Sequence, residues 1–222
     1  NDSERAFTRQ LRHVRAIAEP AYRACAWPAQ DAANRAWIEA ALPGIEAHGA
    51  AIARQLSQRF GTSWHGLPIR VDMVGHAPPV GANTIVNSPE GGHILMSSAN
   101  DSADMLEILY HEASHTIANA WRKDPLHESL SNAAAAMDVE LPRDLWHVIM
   151  FHVTGETVRE VLADAGQPGY QTYMERHGLW QGRWGQYREA VEEGMAGLLD
   201  GTATLDQAVW KVAERLGAST SP

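Results

Sequence analysis

The chain has 222 residues, of which 45% are hydrophobic and 20% charged, as is ordinary for a globular protein that buries a core. Its net charge of −9 argues against nucleic-acid binding, because phosphate contacts require clustered Lys and Arg. No apolar run approaches the roughly 20 residues that cross a bilayer, so no membrane span is expected. The single cysteine, Cys25, excludes an intrachain disulfide, and we expect it to be a small buried hydrophobe.

The chain begins at Asn1 without a methionine. Removal of an export signal and trimming of a longer chain would both give this start, and the residues leave both open. We expect a soluble protein that is exported, either periplasmic or secreted.

The first sixty residues have helical periodicity. A first helix is predicted over residues 6–18, ended by Pro20, and a second over 29–42, interrupted by the Pro-Gly pair at 43–44. A third runs over 45–60, with Gly61 as its C-cap. We expect these helices to supply core.

The pattern then changes to three strand candidates, at residues 69–75, 83–87 and 91–98, separated by Pro and Gly turns. A helix is predicted next, from about residue 102 to Trp121, with Asn100, Asp101 or Ser102 as its N-cap. This helix contains the most informative motif of the chain.

The second half of the chain begins with a segment that looks loose, residues 123–141. Pro142 is expected to open a helix that ends at 164–169, and the last part holds an aromatic-rich stretch and a final helix. No internal repeat or linker is visible, so we predict one mainly helical α+β domain over 1–222, with a small mixed sheet before the motif helix. Its parts are N-terminal helices at about 4–60, a sheet at about 69–98 and active-site helices at about 102–165.

Residues 109–117, LYHEASHTI, contain the pattern H-E-x-x-H. Residues four apart lie on one face of a helix, so His111 and His115 can each offer one ring nitrogen to a single ion at about 2.0–2.1 Å. Glu112 lies one step round the helix, where it can take a proton from the attacking water. Apolar neighbours indicate a buried helix, in which ionisable groups need partners. The pattern therefore favours a zinc site over a solvated helix with two spare histidines.

This motif resembles that of the zincin metallopeptidases, as does, more loosely, the order of strands, motif helix and second helix. Metzincins extend the motif with a glycine and a third histidine, but Ala118 and Trp121 occupy those positions here. Gluzincins instead take the third ligand from a glutamate on a downstream helix, often with an acidic residue four further on. The resemblance is therefore to the gluzincin type.

Residues 145–162, LWHVIMFHVTGETVREVL, fit that downstream helix. The resemblance implies Glu156 as the third zinc ligand and Glu160, one turn further, as the carboxylate that accepts an imidazole N–H. Gly155 would let this helix approach its neighbour closely. His152 is an alternative ligand, since it shares the face of Glu156, and a surface role for Glu156 also stays open.

In zincins, an edge strand before the motif helix pairs with the substrate backbone. Residues 93–98, HILMSS, have a similar place in this chain, so a peptide or protein substrate is expected along an edge strand near His93–Ser98. An ordinary core strand is the alternative.

The resemblance implies a zinc metallopeptidase in which Glu112 takes a proton from water and later passes it to the leaving amine. A gluzincin also stabilises the oxyanion with a Tyr, His or Arg. The first candidates for this role are Tyr170 and His152, and the further candidates are Tyr173, His147 and Arg159.

Two other functions remain open at the level of sequence. One is a zinc hydrolase that acts on a non-peptide amide, with the same site and a different cleft. The other is a non-catalytic binding protein that keeps a structural metal. The presence of Glu112 disfavours the latter, because a structural zinc needs no general base and usually has a fourth protein ligand.

Overall fold

The computed structural model of the chain describes residues 2–64, 66, 68–77, 81–86, 92–118 and 124–220. The fold is mainly helical α+β, and a small mixed three-stranded sheet precedes the helix that carries the H-E-x-x-H motif. The predicted fold class is therefore confirmed. None of the described helices is long and apolar enough to cross a membrane.

Two long helices, α1 (Asp2–Cys25) and α2 (Trp27–Arg59), form the N-terminal part of the chain. Each contains an internal proline, Pro20 in α1 and Pro43 in α2, where the sequence predicted a helix end or an interruption. A proline inside a helix removes one backbone hydrogen bond and costs about 3 kcal/mol, which the turns on either side offset here. α2 ends at Arg59, one residue before the predicted end, and Gly61 shortly after it has a positive φ of 63°.

The two helices differ in what they contribute to the core. Ile52 and Leu56 of α2 are fully buried in it, as expected. The expectation is wrong for α1, because its large apolar side chains lie in solvent, and Cys25 at its end is exposed rather than buried. No other described element covers this helix along its length.

The sheet contains β1 (Arg70–Val74), β2 (Ala82–Ile85) and β3 (His93–Ser97), close to the predicted strands. Their order is β1-β3-β2, with β1 parallel and β2 antiparallel to β3. The prediction that the strand near His93–Ser98 lies at an edge is wrong, because neighbours pair with both sides of β3. β2 is an edge strand of the described sheet and lies against the motif helix.

The motif helix, α3 (Met105–Ser114), follows a 3-10 turn at Ser102–Asp104. Asp101, one of the three expected caps, accepts a hydrogen bond from the backbone N–H of Ala103 at 2.9 Å. α3 is shorter than predicted, because the chain tightens into turns after Ser114. Trp121 lies outside the described residues.

The segment predicted to be loose contains a helix, α4 (Pro125–Met137), with Asp124 as its N-cap. The remaining helices are α5 (Leu145–Asp164), α6 (Tyr173–Arg176), α7 (Arg188–Leu199) and α8 (Leu205–Thr220). α5 is the predicted second helix, and twelve of its residues are buried, so it forms the centre of the main core.

α5 packs antiparallel to α3. Gly155, in the middle of α5, faces Glu107, near the start of α3, whereas His147, near the N-terminal end of α5, meets His111 and His115. A Cβ on Gly155 would lie 2.7 Å from Oε1 of Glu107, so the close approach predicted at this glycine is confirmed.

Candidate metal centre

Three imidazoles meet where the end of α3 crosses the beginning of α5. His111 lies in the last turn of α3, His115 follows as its C-cap with helical backbone angles, and His147 comes from the first turn of α5. One ring nitrogen of each can be chosen so that the three atoms all lie within 4.8 Å of one another. His111 is buried, and the other two are partly buried. These residues could hold a metal ion.

The closest pair of ring nitrogens has the spacing of two ligands on one cation. Nε2 of His111 lies 3.1 Å from Nε2 of His147. Two nitrogens that bind a tetrahedral ion at 2.0–2.1 Å stand about 3.3–3.4 Å apart, close to this separation. Ring nitrogens that face each other so closely must share a proton or flank a cation. The His111–His147 pair is therefore spaced as two ligands of one ion would be.

The electrostatics keep these imidazoles neutral, as metal ligands must be. Burial holds the pKa of His111 well below 6.5, and its two histidine neighbours lower it further. Burial, with a smaller effect of His147, lowers the pKa of His115 to about 3. Burial also lowers the pKa of His147 to about 4, although Asp144 opposes the shift. The ring lone pairs are therefore available at neutral pH.

Aromatic side chains enclose the three rings. Phe151, one turn beyond His147, stacks on His111 with ring centroids 3.6 Å apart. Trp146 lies with its ring centroid 5.7 Å from that of His115, and Trp184 lies 5.6 Å from His147. Such a shell excludes water and strengthens interactions with a charge held at the centre.

Glu112, which follows His111 in the motif, is also buried. Its Oε2 accepts a hydrogen bond from the Thr84 hydroxyl at 2.6 Å, and the same hydroxyl lies 2.8 Å from the Glu112 carbonyl. Thr84 belongs to β2, so this contact joins the motif helix to the edge of the sheet. Burial raises the pKa of Glu112 to about 7, although the Thr84 bond opposes the shift. A carboxylate with that pKa can both take and return a proton near neutral pH.

A second buried acid, Glu107, lies one turn before His111 on the same face of α3. Its Oε2 accepts hydrogen bonds from the Tyr170 hydroxyl at 2.9 Å and from the Tyr173 backbone N–H at 2.7 Å. Its Oε1 is buried without a hydrogen-bond partner among the described residues. Burial raises the pKa of Glu107 to about 8. Sequence reasoning missed this residue, although its spacing of four from His111 indicated the shared face.

Glu156, the predicted third ligand, is not part of the histidine cluster. Its Oε2 accepts a hydrogen bond from Nε of Arg159 at 3.1 Å. It is nine residues beyond His147, which corresponds to about 13 Å along α5. Glu160, the predicted supporting carboxylate, pairs with Arg59 from α2. The proposed roles of these two glutamates stay predictions, and neither side chain is gathered with His111 and His115.

The two first candidates for oxyanion stabilisation also have other neighbours. The hydroxyl of Tyr170 donates to Glu107, and burial with that acid raises the pKa of Tyr170. The ring of His152 faces Trp180, with centroids 6.0 Å apart. His152 is five residues beyond His147, which places it about 140° further round α5. His147, named in the sequence only as a further candidate for this role, is the residue that reaches the motif.

Comparison with protein-family models, curated proteins and solved structures finds no match. The site must therefore be interpreted from its own residues.

Proposed function

We propose that the chain is a zinc-dependent peptide-bond hydrolase with His111, His115 and His147 as the zinc ligands. The observation that carries this proposal is the convergence of three neutral ring nitrogens within 4.8 Å, contributed in part by a motif that also contains the buried Glu112. Three protein ligands with one open position are typical of catalytic zinc, whereas structural zinc usually has four. In this proposal His147 takes the place that the zincin resemblance implied for Glu156.

Bound zinc would polarise the substrate carbonyl and lower the pKa of water. Glu112 then takes a proton from the attacking water and delivers it to the leaving amine. Thr84 holds the Glu112 carboxylate by its hydrogen bond of 2.6 Å, which limits the positions that this base can adopt. A cation held by the histidines would lower the pKa of Glu112 and so favour the ionised form that can take a proton.

The substrate strand in this proposal is β2 rather than β3. β3 is paired on both sides, whereas β2 pairs only with β3 among the described strands. An extended peptide that joined β2 would lie close to Glu112, because Thr84 of β2 touches that carboxylate. Pairing to an edge strand recognises the peptide backbone and tolerates many side chains.

The test is to purify the protein without chelator and to measure its metal content and its hydrolysis of an unstructured protein. We expect close to one zinc per chain and an activity that a chelator abolishes and added zinc restores. Glu112→Gln should keep zinc but lose activity by about 10²–10⁴-fold, because Gln cannot accept the proton. Glu39→Gln, an exposed glutamate on α2, is the matched control.

Each alternative has its own outcome in this experiment. A folded protein that takes up no zinc when supplied with it would overturn the metal site. Stoichiometric zinc with hydrolysis of small non-peptide amides, and none of proteins, would favour the amide hydrolase. Zinc that supports folding without any hydrolysis would favour the structural metal.

A further inference from the structure

α1 displays a row of large apolar side chains that the described part of the chain leaves in solvent. The exposed fractions are 62% for Phe7, 54% for Leu11, 61% for Val14 and 67% for Ile17. Their spacing of three or four places them along one side of the helix. A contiguous exposed apolar surface of this kind marks an interaction site.

The other side of α1 is strongly basic. Arg5, Arg9, Arg12 and Arg15 lie opposite the apolar row or along its border, at 100° per residue. The sequence has no acidic residue between Glu4 and Glu19. This stretch therefore carries +4 and the whole chain −9, which leaves −13 for the remainder. α1 as a whole has five arginines against Asp2, Glu4 and Glu19, a formal charge of +2, so it is basic within an acidic chain.

Two aromatic residues continue the surface at the end of α1. Tyr22 is 42% exposed and Trp27, at the start of α2, is 37% exposed, and their ring centroids are 6.1 Å apart. Both residues combine an apolar ring with a polar group, and they are enriched where a membrane meets water. Their place beside an apolar row agrees with such a boundary.

We propose that α1 binds the surface of an anionic lipid bilayer and lies in the plane of the interface. Its apolar row enters the boundary between headgroups and acyl chains, and its arginines are attracted to the anionic headgroups. With 24 residues, α1 is about 36 Å long and can lie flat on this surface. This proposal does not depend on the proposed hydrolase activity.

The charge pattern favours a membrane over a second copy of the chain. Two α1 helices packed by their apolar faces would leave most of the arginines on the outer sides of the pair, so such a dimer would make little use of their charge. An anionic bilayer instead satisfies the apolar row and the arginines at once. The acidic remainder of the chain, at −13, would be held on the water side.

The experiment is co-sedimentation of the full chain with phosphatidylcholine vesicles that contain either no anionic lipid or about 30 mol% phosphatidylglycerol. We expect binding to the anionic vesicles, much weaker binding to the neutral ones, and a loss of binding as salt is raised from about 0.1 M to 1 M. A dye attached to the exposed Cys25 should report a less polar surrounding only with anionic vesicles.

Paired variants separate the apolar and charged contributions. Leu11→Gln with Val14→Gln should weaken vesicle binding by about tenfold or more, since two side chains no longer enter the interface. Arg9→Gln with Arg12→Gln should weaken it by a similar factor, at about fivefold per charge. The matched control, Ile38→Gln with Val71→Gln, changes side chains of 40% and 39% exposure away from α1 and should bind like the parent.

All of the substituted positions are exposed, so each variant should fold like the parent. Identical circular dichroism spectra would show that a loss of binding is not a loss of folding. Failure of the parent chain to bind anionic vesicles would overturn the proposal, as would binding that the α1 variants leave unchanged. A dimer that forms without lipid and that Leu11→Gln with Val14→Gln dissociates would show instead that a second copy covers α1.

Discussion

At the scale of single residues, the candidate site depends on His147. His111 and His115 are placed by the local geometry of α3, but a pair of imidazoles leaves an ion with too few protein ligands. His147 lies 3.1 Å from His111 between ring nitrogens and completes a set of three. Glu112, the residue after His111, holds its carboxylate at Thr84 of β2.

His147→Ala removes a proposed zinc ligand. It should therefore lower zinc affinity by more than about 100-fold, which is the upper end of the effect of losing a residue that only supports a ligand. Glu156→Ala should leave zinc affinity nearly unchanged, because the Glu156 carboxylate pairs with Arg159. Competition with a chromophoric chelator measures both constants. The reverse result, with zinc lost in Glu156→Ala and kept in His147→Ala, would support the ligand set that the resemblance implied.

Glu107 should make the stability of the metal-free protein depend on pH. Burial raises its pKa from 4.5 to about 8, so the folded state binds its proton more tightly than the unfolded state. The stabilisation is fully present below about pH 4.5 and is lost as pH rises through about 8. Glu107→Gln mimics the neutral acid and can still accept the Tyr170 and Tyr173 bonds. We expect it to flatten this profile.

The measurement is the free energy of unfolding by urea at about pH 5.5 and about pH 8, without metal. The parent should lose on the order of a few kcal/mol over this range relative to Glu107→Gln. Glu39→Gln, on the exposed side of α2, should follow the parent. Parallel profiles for the parent and Glu107→Gln would mean that the acid titrates alike in both states.

At the scale of elements, the site requires α5 to lie close against α3. Gly155 makes this possible, because an added Cβ would lie 2.7 Å from Oε1 of Glu107 and 3.0 Å from Thr172. The antiparallel contact then carries Phe151 and His147 to His111. A side chain at position 155 would push the helices apart at one end and misplace His147 at the other.

Gly155→Ala should therefore destabilise the protein by about 1–3 kcal/mol, the usual cost of overpacking, and should also weaken zinc binding. Gly44→Ala is the matched control, because it lies within α2 and its added Cβ would be an ordinary 3.6 Å from Leu106. The control should gain up to about 1 kcal/mol from helix propensity. Thermal melts and zinc titrations check both variants, and a neutral Gly155→Ala would contradict the close packing.

At the scale of the whole molecule, metal and fold should be coupled. The three histidines come from α3 and α5, which are separated in sequence and meet only in the folded chain. A ligand that binds only the folded state stabilises it by RT ln(1 + [L]/Kd), about 2.7 kcal/mol at 100 times Kd. Zinc binding at this contact should therefore hold the two helices together.

We expect added zinc to raise the midpoint of thermal unfolding of the parent and to leave His147→Ala nearly unchanged. Differential scanning fluorimetry with and without a chelator measures the difference. Leu11→Gln with Val14→Gln should respond to zinc like the parent, because α1 contributes nothing to the core. If zinc does not change the midpoint of thermal unfolding of the parent, no ion binds where α3 meets α5.

Local features were readable from the sequence. The spacing of His111 and His115, the three strands and the final helix follow from periodicities of 3.6 and 2, which depend on near neighbours. The end of α2 could be predicted from Gly61, because glycine readily adopts the positive φ found there, 63°. The prediction that Glu112 acts as the base also rests on the motif alone. For these features, short-range geometry is sufficient.

Only the tertiary structure decided which partners meet. The turn of α5 that packs against His111 carries His147. Gly155 sets how closely α5 crosses α3, and this crossing cannot be predicted from the sequence near either helix alone. β3 is the central strand because β1 pairs with one of its edges, in parallel, and β2 pairs with the other. α1 has the periodicity of a core helix, yet it lies in solvent. Whether the apolar face of a helix is buried depends on the elements that pack against it, so the sequence of the helix alone does not determine its burial.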